Sequence, residues 1–442
     1  MSIDLLRHVR MLDPLTDTDQ VVDVLIREGQ VAAIRAPHGQ GSASSLETLP
    51  PDLSPDAVQV YDSLGLVLLP GLVDLYSYTS DPGFEAREPL PSLLQSAIAG
   101  GFTRLTLLPN TAPPLDHPGG IEQLRSRLRT FPQAPLVNYW GAITQGAAGE
   151  NLTELADLVA AGVVGFTDGR PLQNWNLVRR LLEYGQGLGK PIALQMGDRA
   201  LSGGGVARDG IWAMRLGLPG SPAMAEAAPL AALLECVATI GTPVHLLRIS
   251  TARSVALIRE ARARGLPITA SVSWMHLLLN TTHLQSYDPS LRLDPPLGNP
   301  ADQTALIEGI QTGVIDAIAI DHRPYTYEEK TVPFAEAPPG AIGLQLALPL
   351  LWDALVTPGH LSALDLCRCL STRPAQILGQ TPPAPPPPPP PPRPPPAPPP
   401  PPPPPPPRPR RGGAGRSGSM SIPTTTNDVH CNHHPNPNAP NT

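Results

Sequence analysis

Eight short apolar runs, each closing on a polar residue and each followed by helix-like sequence, recur between Leu66 and His322. They are Leu66–Tyr76, Phe102–Asn110, Leu136–Thr144, Val163–Asp168, Pro191–Met196, Pro243–Ser250, Pro267–Ser273 and Asp316–His322. Strands that alternate with helices build a parallel sheet through right-handed crossovers. The stretch Ala317-Ile318-Ala319-Ile320 is apolar at consecutive positions, as a strand covered on both faces must be. Eight such units in about 260 residues match the size of a closed barrel. A doubly wound open sheet is the structural alternative, but no GxGxxG follows the first strand. The expected fold class is therefore α/β, a (β/α)8 TIM-type barrel. Such a barrel carries its chemistry at the C-terminal ends of the strands, so the residues that close each run are where function is to be read.

The segments outside the barrel are of two kinds. Val21–Ile26 and Val31–Ile34 are β-rich and flank a Glu28-Gly29 turn, which predicts a hairpin. Residues 1–60 are accordingly expected to form a small β-unit, with a polar Pro/Ser-rich loop over 37–58, and residues 61–380 the barrel. Residues 381–442 form a tail. Pro382–Pro409 is nearly unbroken proline, which lacks backbone donors and favours a polyproline II spacer. Arg410–Thr442 is rich in Gly, Ser, Thr, Asn and Pro and is expected to be disordered. A GC-rich coding region read out of frame would produce the same abrupt switch, and resequencing the gene through the tail decides between the two.

Composition narrows the function classes. The chain has 442 residues, 41% of them hydrophobic, and a net charge of −7, with no clustered basic face of the kind a nucleic-acid binder carries. No run of about 18 apolar residues is present, so no membrane span is expected. Met1-Ser2-Ile3-Asp4 lacks a charged-then-apolar leader pattern, which favours a cytoplasmic location. The four cysteines, Cys236, Cys367, Cys369 and Cys431, are too few for a disulfide framework and are expected as reduced thiols, with Cys367 and Cys369 packing in helix-like sequence. His430, Cys431, His433 and His434 look metal-like on paper but fall in the low-complexity tail.

The strand ends are unusual for a metal-dependent hydrolase barrel. In such barrels the first strand ends on His-x-His, because residues i and i+2 share one side of a strand and can grip one ion. Here those places hold Tyr76 and Tyr78. A neutral phenol is a poor zinc ligand, since its pKa near 10 keeps the proton on at neutral pH. Pro70-Gly71-Leu72-Val73-Asp74 followed by Asp81-Pro82-Gly83-Phe84-Glu85 resembles the signature of dihydroorotase, a cyclic-amide hydrolase of the metal-dependent amidohydrolase type.

The resemblance runs over roughly residues 1–380. Leu108-Pro109-Asn110-Thr111, Gly165-Phe166-Thr167-Asp168-Gly169, Val244–Thr251, Asp294-Pro295-Pro296-Leu297 and Ala319–Tyr325 follow family phrasing in the right order. It implies that Asn110 contacts substrate, that Asp168 stands where a bridging metal ligand belongs, and that Asp321 is the family's metal ligand and proton acceptor. It also implies losses. The metal-binding histidines fall at Tyr76, Tyr78, Gln195 and Arg248, the carboxylate-binding arginine at Ser80, and a substrate-contacting histidine at Tyr325. Ser273-Trp274-Met275-His276 stands where the family has paired histidines. His322 either faces substrate or is structural, while His245 and His276 are expected to be packed or hydrogen-bonded rather than ligating.

Two residual carboxylates, Asp168 and Asp321, are too few for the three or four protein ligands that a catalytic zinc takes. A fixed guanidinium would also repel a dication, and Arg248 is expected to fill the cation's place by pairing with Asp168 and Asp321. The sequence thus favours a degenerate barrel with no cofactor. By resemblance to inactive dihydroorotase-like chains that assemble with aspartate carbamoyltransferase, the expected role is a structural partner of that enzyme in pyrimidine biosynthesis. Self-association into a homo-oligomer is compatible with this. The alternatives are an active cyclic-amide hydrolase with an atypical zinc site, and a small-molecule sensor that keeps the pocket residues Asn110, Asp168 and Asp321.

Overall fold

The computed structural model describes residues 3–36 and 58–383. The expected loop over 37–58, the proline run and the His/Cys cluster of the tail lie almost entirely outside those residues.

Near the N-terminus, β1 (Ile3–Asp13) pairs antiparallel with β2 (Thr18–Arg27), and β2 with β3 (Gln30–Arg35), which is the expected hairpin. Alternate residues Val9, Met11, Val22 and Val24 bury together on one face of this sheet. Two further strands, β4 (Val58–Asp62) and β5 (Val67–Leu68), pair parallel with β1, so the small sheet extends past residue 60. The first apolar run therefore splits in two. Its start joins the small sheet as β5, and after Pro70-Gly71 the remainder becomes the first barrel strand.

The barrel strands are β6 (Leu72–Ser77), β7 (Phe102–Leu107), β8 (Leu136–Gly141), β9 (Gly165–Phe166) and β10 (Ile192–Gln195). After a two-stranded excursion, β11 (Ala207–Arg208) with β12 (Gly220–Ser221), come β13 (Val244–Leu247), β14 (Ile268–Ser273) and β15 (Ala317–Ala319). All eight expected barrel strands are present. They run parallel in sequence order, and backbone bonds from Asp321 N to Tyr76 O (3.1 Å) and from Tyr78 N to His322 O (2.8 Å) bring the last strand back to the first.

Burial on both faces explains the unalternating sequence. In β13, Val244 and Leu246 pack outward in the large core against the surrounding helices, while Leu247 belongs to a second cluster with Val73, Trp140, Ala193, Ala317 and Ala319. Residues from five strands, with Leu108 just past a sixth, meet in that second cluster, which identifies it as the barrel interior, closed from below by Ala375 and Leu378. Trp140 is fully buried there and donates its indole N–H to Leu75 O at 2.8 Å. Cys367 and Cys369 are buried packing residues, as expected.

His245 also points inward, between Thr269 Oγ1 (2.9 Å) and Ser271 Oγ (2.9 Å). Burial pushes its pKa down to about 3 from an ordinary 6.5, so the folded chain keeps it neutral. Asp74, also buried, moves the other way, up to about 7 from 3.8, through desolvation. Below pH 6.5 the unfolded chain takes a proton at His245 that the folded chain refuses, so stability falls with pH; Asp74 opposes this between about 7 and 3.8. His245→Gln keeps a side chain able to bond both hydroxyls and removes only the first contribution. Urea titrations are therefore expected to show the variant gaining on the parent by roughly 1.4 kcal/mol per pH unit below about pH 6.5. Parallel stability profiles would refute the assignment.

Candidate functional site

The C-terminal strand ends open into a cavity of about 720 Å³. Its centre is Arg248, the first residue after β13, whose side chain is 2% exposed. Every one of its five side-chain N–H groups has an acceptor. Nε and Nη2 grip the Asp321 carboxylate in a fork, at 2.7 Å to Oδ2 and 2.6 Å to Oδ1. Nη1 donates to Gln195 Oε1 at 2.7 Å and to Gly169 O at 3.0 Å, and Nη2 also donates to Tyr78 Oη at 3.3 Å. The backbone N–H of Arg248 donates to Tyr76 Oη at 3.2 Å, and the guanidinium lies 5.1 Å from the Tyr76 ring centre and 5.7 Å from that of Tyr78. Burial works against the charge, but the Asp321 carboxylate and the two phenols hold the pKa of Arg248 above its ordinary value. Of the six positions that the family resemblance ties to metal, four (Tyr76, Tyr78, Gln195 and Asp321) are thus brought together around Arg248, and only Asp168 stands apart.

Backbone geometry supports this centre. Arg248 has φ 54° and Asp321 φ 53°, left-handed values that cost energy in a residue with a Cβ. Two strained residues joined by a bidentate bond indicate that the surrounding loops over-determine their positions.

One expectation is corrected, and the open alternative at His322 is decided. Asp168 does not pair with Arg248. Its carboxylate accepts from Thr144 N (3.0 Å) and Thr144 Oγ1 (2.5 Å), and it is turned away from the cavity. Burial raises its pKa, against the lowering effect of the Thr144 bonds. The pairing fails because Thr144, on the loop after β8, already satisfies both oxygens. Nor does His322 belong to the pocket. It is 2% exposed, its Nε2 lies 3.1 Å from Glu88 Oε2, and its Nδ1 faces the backbone N–H groups of Gly343 (3.2 Å) and Leu344 (3.4 Å). It clasps the loop after the last strand to the segment before the first helix.

Asn110 does line the cavity. Its Nδ2 donates to Asp168 O at 2.9 Å, while its Oδ1 is buried without a hydrogen-bond partner. Ser80 also lines it, and Tyr325 is anchored by a bond from its hydroxyl to Pro339 O at 3.0 Å. His276 is held at Pro295 O (3.2 Å), packed as expected. Sequence reasoning missed Arg208, Arg292 and Arg323, which also line the cavity. Arg323 sits two residues past Asp321 and stacks on Tyr78 at 4.3 Å, so its nearness was the one available signal. Arg208 lies on a two-residue strand that no periodicity announces.

The donor set does not fit a catalytic zinc. Among the described residues no three His, Cys, Asp or Glu side chains converge to hold an ion. Both Asp321 oxygens are taken by a cation, and burial raises the Tyr76 phenol further above its ordinary pKa, keeping its proton on.

A closed eight-stranded parallel barrel with its pocket at the strand ends and a small β-sheet beside it is the architecture of the amidohydrolases. The L-hydantoinase (dihydropyrimidinase) of Arthrobacter aurescens superposes with a TM-score of 0.68, covering 86% of this chain and 83% of that one, at 21% identity. The family model described as "Dihydro-orotase-like" matches residues 65–254. A "Probable dihydroorotase-like protein" of Synechocystis is 46% identical over 400 residues, covering 84% of this chain and 88% of that protein. A dihydroorotase of Pelotomaculum thermopropionicum is 37% identical over 378 residues, covering 85% and 84%. The chain belongs to the dihydroorotase-like family.

If Arg248 is the tie that holds the strand ends, its removal must cost stability. Arg248→Met strands Asp321 without a counter-charge and is expected to destabilise the fold by about 3–5 kcal/mol in chemical denaturation. Arg248→Lys keeps the charge but not the fork and should fall between the two. A methionine variant as stable as the parent would contradict this account.

Proposed function

We propose that this chain is a non-catalytic dihydroorotase-like protein of pyrimidine biosynthesis that acts as a structural partner of aspartate carbamoyltransferase. The observation that carries the first half is the guanidinium of Arg248 at the position where the family's chemistry needs a metal. Metal-dependent amide hydrolysis requires an ion that lowers the pKa of bound water from 15.7 to about 7 and polarises the carbonyl. A buried arginine supplies charge but no open coordination position, cannot deliver hydroxide, and here has no N–H left to offer a substrate. Asp321, the proton acceptor by resemblance, has both oxygens engaged in the same bond.

The second half rests on the family resemblance, which extends to inactive chains that assemble with that transferase. A cytoplasmic location accords with this role. Among the described residues no helix is long and apolar enough to cross a membrane.

Two measurements test the proposal. The tagged chain, co-expressed with aspartate carbamoyltransferase from the same source, is expected to retain that enzyme through affinity and size-exclusion steps in near-stoichiometric amount. Transferase eluting alone would overturn the partnership. The purified chain, supplied with zinc, is expected to show no dihydroorotate hydrolysis above background. Turnover that disappears in Asp321→Ala would instead establish an active hydrolase.

A further inference from the structure

The cavity holds more positive charge than its carboxylates neutralise. Seven arginines line it against four acidic residues. Arg248 is matched by Asp321, and Arg87 by Glu329 outside the cavity. The other five are not matched, since no carboxylate among the described residues lies within 4.0 Å of any of them; Arg170 and Arg199 are exposed to water, whereas Arg208, Arg292 and Arg323 are not.

Arg208 is the most exacting case, because it is only 1% exposed. Its Nη2 donates to Ser250 Oγ at 2.7 Å, its Nη1 reaches Ser221 O only at 3.5 Å, and its Nε has no partner. The acid in the same network, Glu226, is already consumed. It accepts from Ser250 N (3.1 Å), Thr251 N (3.2 Å), Thr251 Oγ1 (3.1 Å) and the Ser250 hydroxyl. Arg292 donates Nη1 to Leu293 O at 2.7 Å and leaves Nε unpartnered. Burial lowers its pKa, with exposed Asp294 only partly compensating. Among the described residues the Arg323 side chain has no hydrogen-bond partner, and it rests on the rings of Tyr78 (4.3 Å) and Tyr325 (5.5 Å). Lys330, close enough to Arg292 and Arg323 for both to lower its pKa, turns its ammonium onto the carbonyls of Pro289 and Pro338.

A buried guanidinium without a direct counter-ion is costly, and a fold that keeps one buried and two half-buried around one cavity gains by taking the counter-ion from solution. We propose that the cavity binds a small organic molecule bearing two separated anionic groups, one held by Arg208 and the other by Arg292 and Arg323. This is a different set of contacts from Ser80 and Asn110, the positions that the resemblance ties to substrate. It needs no metal and no reaction. It goes beyond the partnership proposed above, and because binding is measured on the purified chain alone, either can fail without the other.

The test is calorimetry on the full chain with four probes: succinate, 3-phosphoglycerate, the monoanion butyrate and neutral succinamide. Succinate or 3-phosphoglycerate is expected to bind at least about tenfold more tightly than butyrate, with succinamide silent. Preference between succinate and 3-phosphoglycerate tells whether the second group is a carboxylate or a phosphate. Arg208→Gln and the less buried Arg292→Gln are each expected to weaken that binding by about tenfold or more. The second variant keeps the test decisive if the first does not fold. Succinate and 3-phosphoglycerate both no tighter than butyrate, or undiminished binding in every folded variant, would overturn the proposal.

Discussion

The bidentate bond between Arg248 and Asp321 is the interaction on which the upper end of this barrel depends. A parallel barrel delivers eight strand ends to one face, and each brings carbonyls and side chains that need partners. A metal ion can gather such ends by accepting several donors at once. Here a planar guanidinium does so through hydrogen bonds, taking one acceptor each from Tyr78, Gly169 and Gln195 and two from Asp321, residues at the ends of four strands. Arginine suits this because its five donors lie in a fixed fork and its charge is not lost at any accessible pH. On the reading proposed above, that exchange would keep the architecture while giving up the metal-dependent chemistry.

Other features support that tie. Asp74 accepts from Ser77 Oγ (2.5 Å) and Ile320 N (3.0 Å), fastening the first strand to the last just below it. His322, the next residue after Asp321, is fixed by Glu88 and by backbone N–H groups, so the loop that carries Asp321 cannot swing away. The left-handed backbone at both Arg248 and Asp321 is tolerated because these neighbours hold it. Tyr76 and Tyr78, poor ligands for zinc, are good partners for arginine: each offers a phenolic oxygen as acceptor and a ring face to the cation. The residues at the positions that the resemblance ties to metal thus form one connected set of contacts around Arg248.

How far the sequence revealed this follows from the range of the contacts involved. The eight strands were legible because burial on both faces writes itself as unbroken apolar runs, even for β9, only two residues long. Arg248 opposite Asp321 was legible because the resemblance aligned both with one ion. The fate of Asp168 was not, since Thr144 competes for it from another loop and nothing in either segment announces the pairing. His322 was undecided for the same reason: its partner Glu88 lies 234 residues earlier. Arg208 and Arg292 escaped notice because excursions and loops carry no periodic signal, and an uncompensated charge can only be recognised once its surroundings are known.

The central claim is that a guanidinium has taken the metal's place. Elemental analysis of the purified chain, dialysed against dilute zinc and then against metal-free buffer, tests it most directly. The account predicts less than about a tenth of an equivalent of zinc per chain, because the Asp321 carboxylate at the centre is already paired with Arg248. One or two equivalents retained would contradict it, since Arg248 would then have to yield its place and the tyrosines would have to ligate.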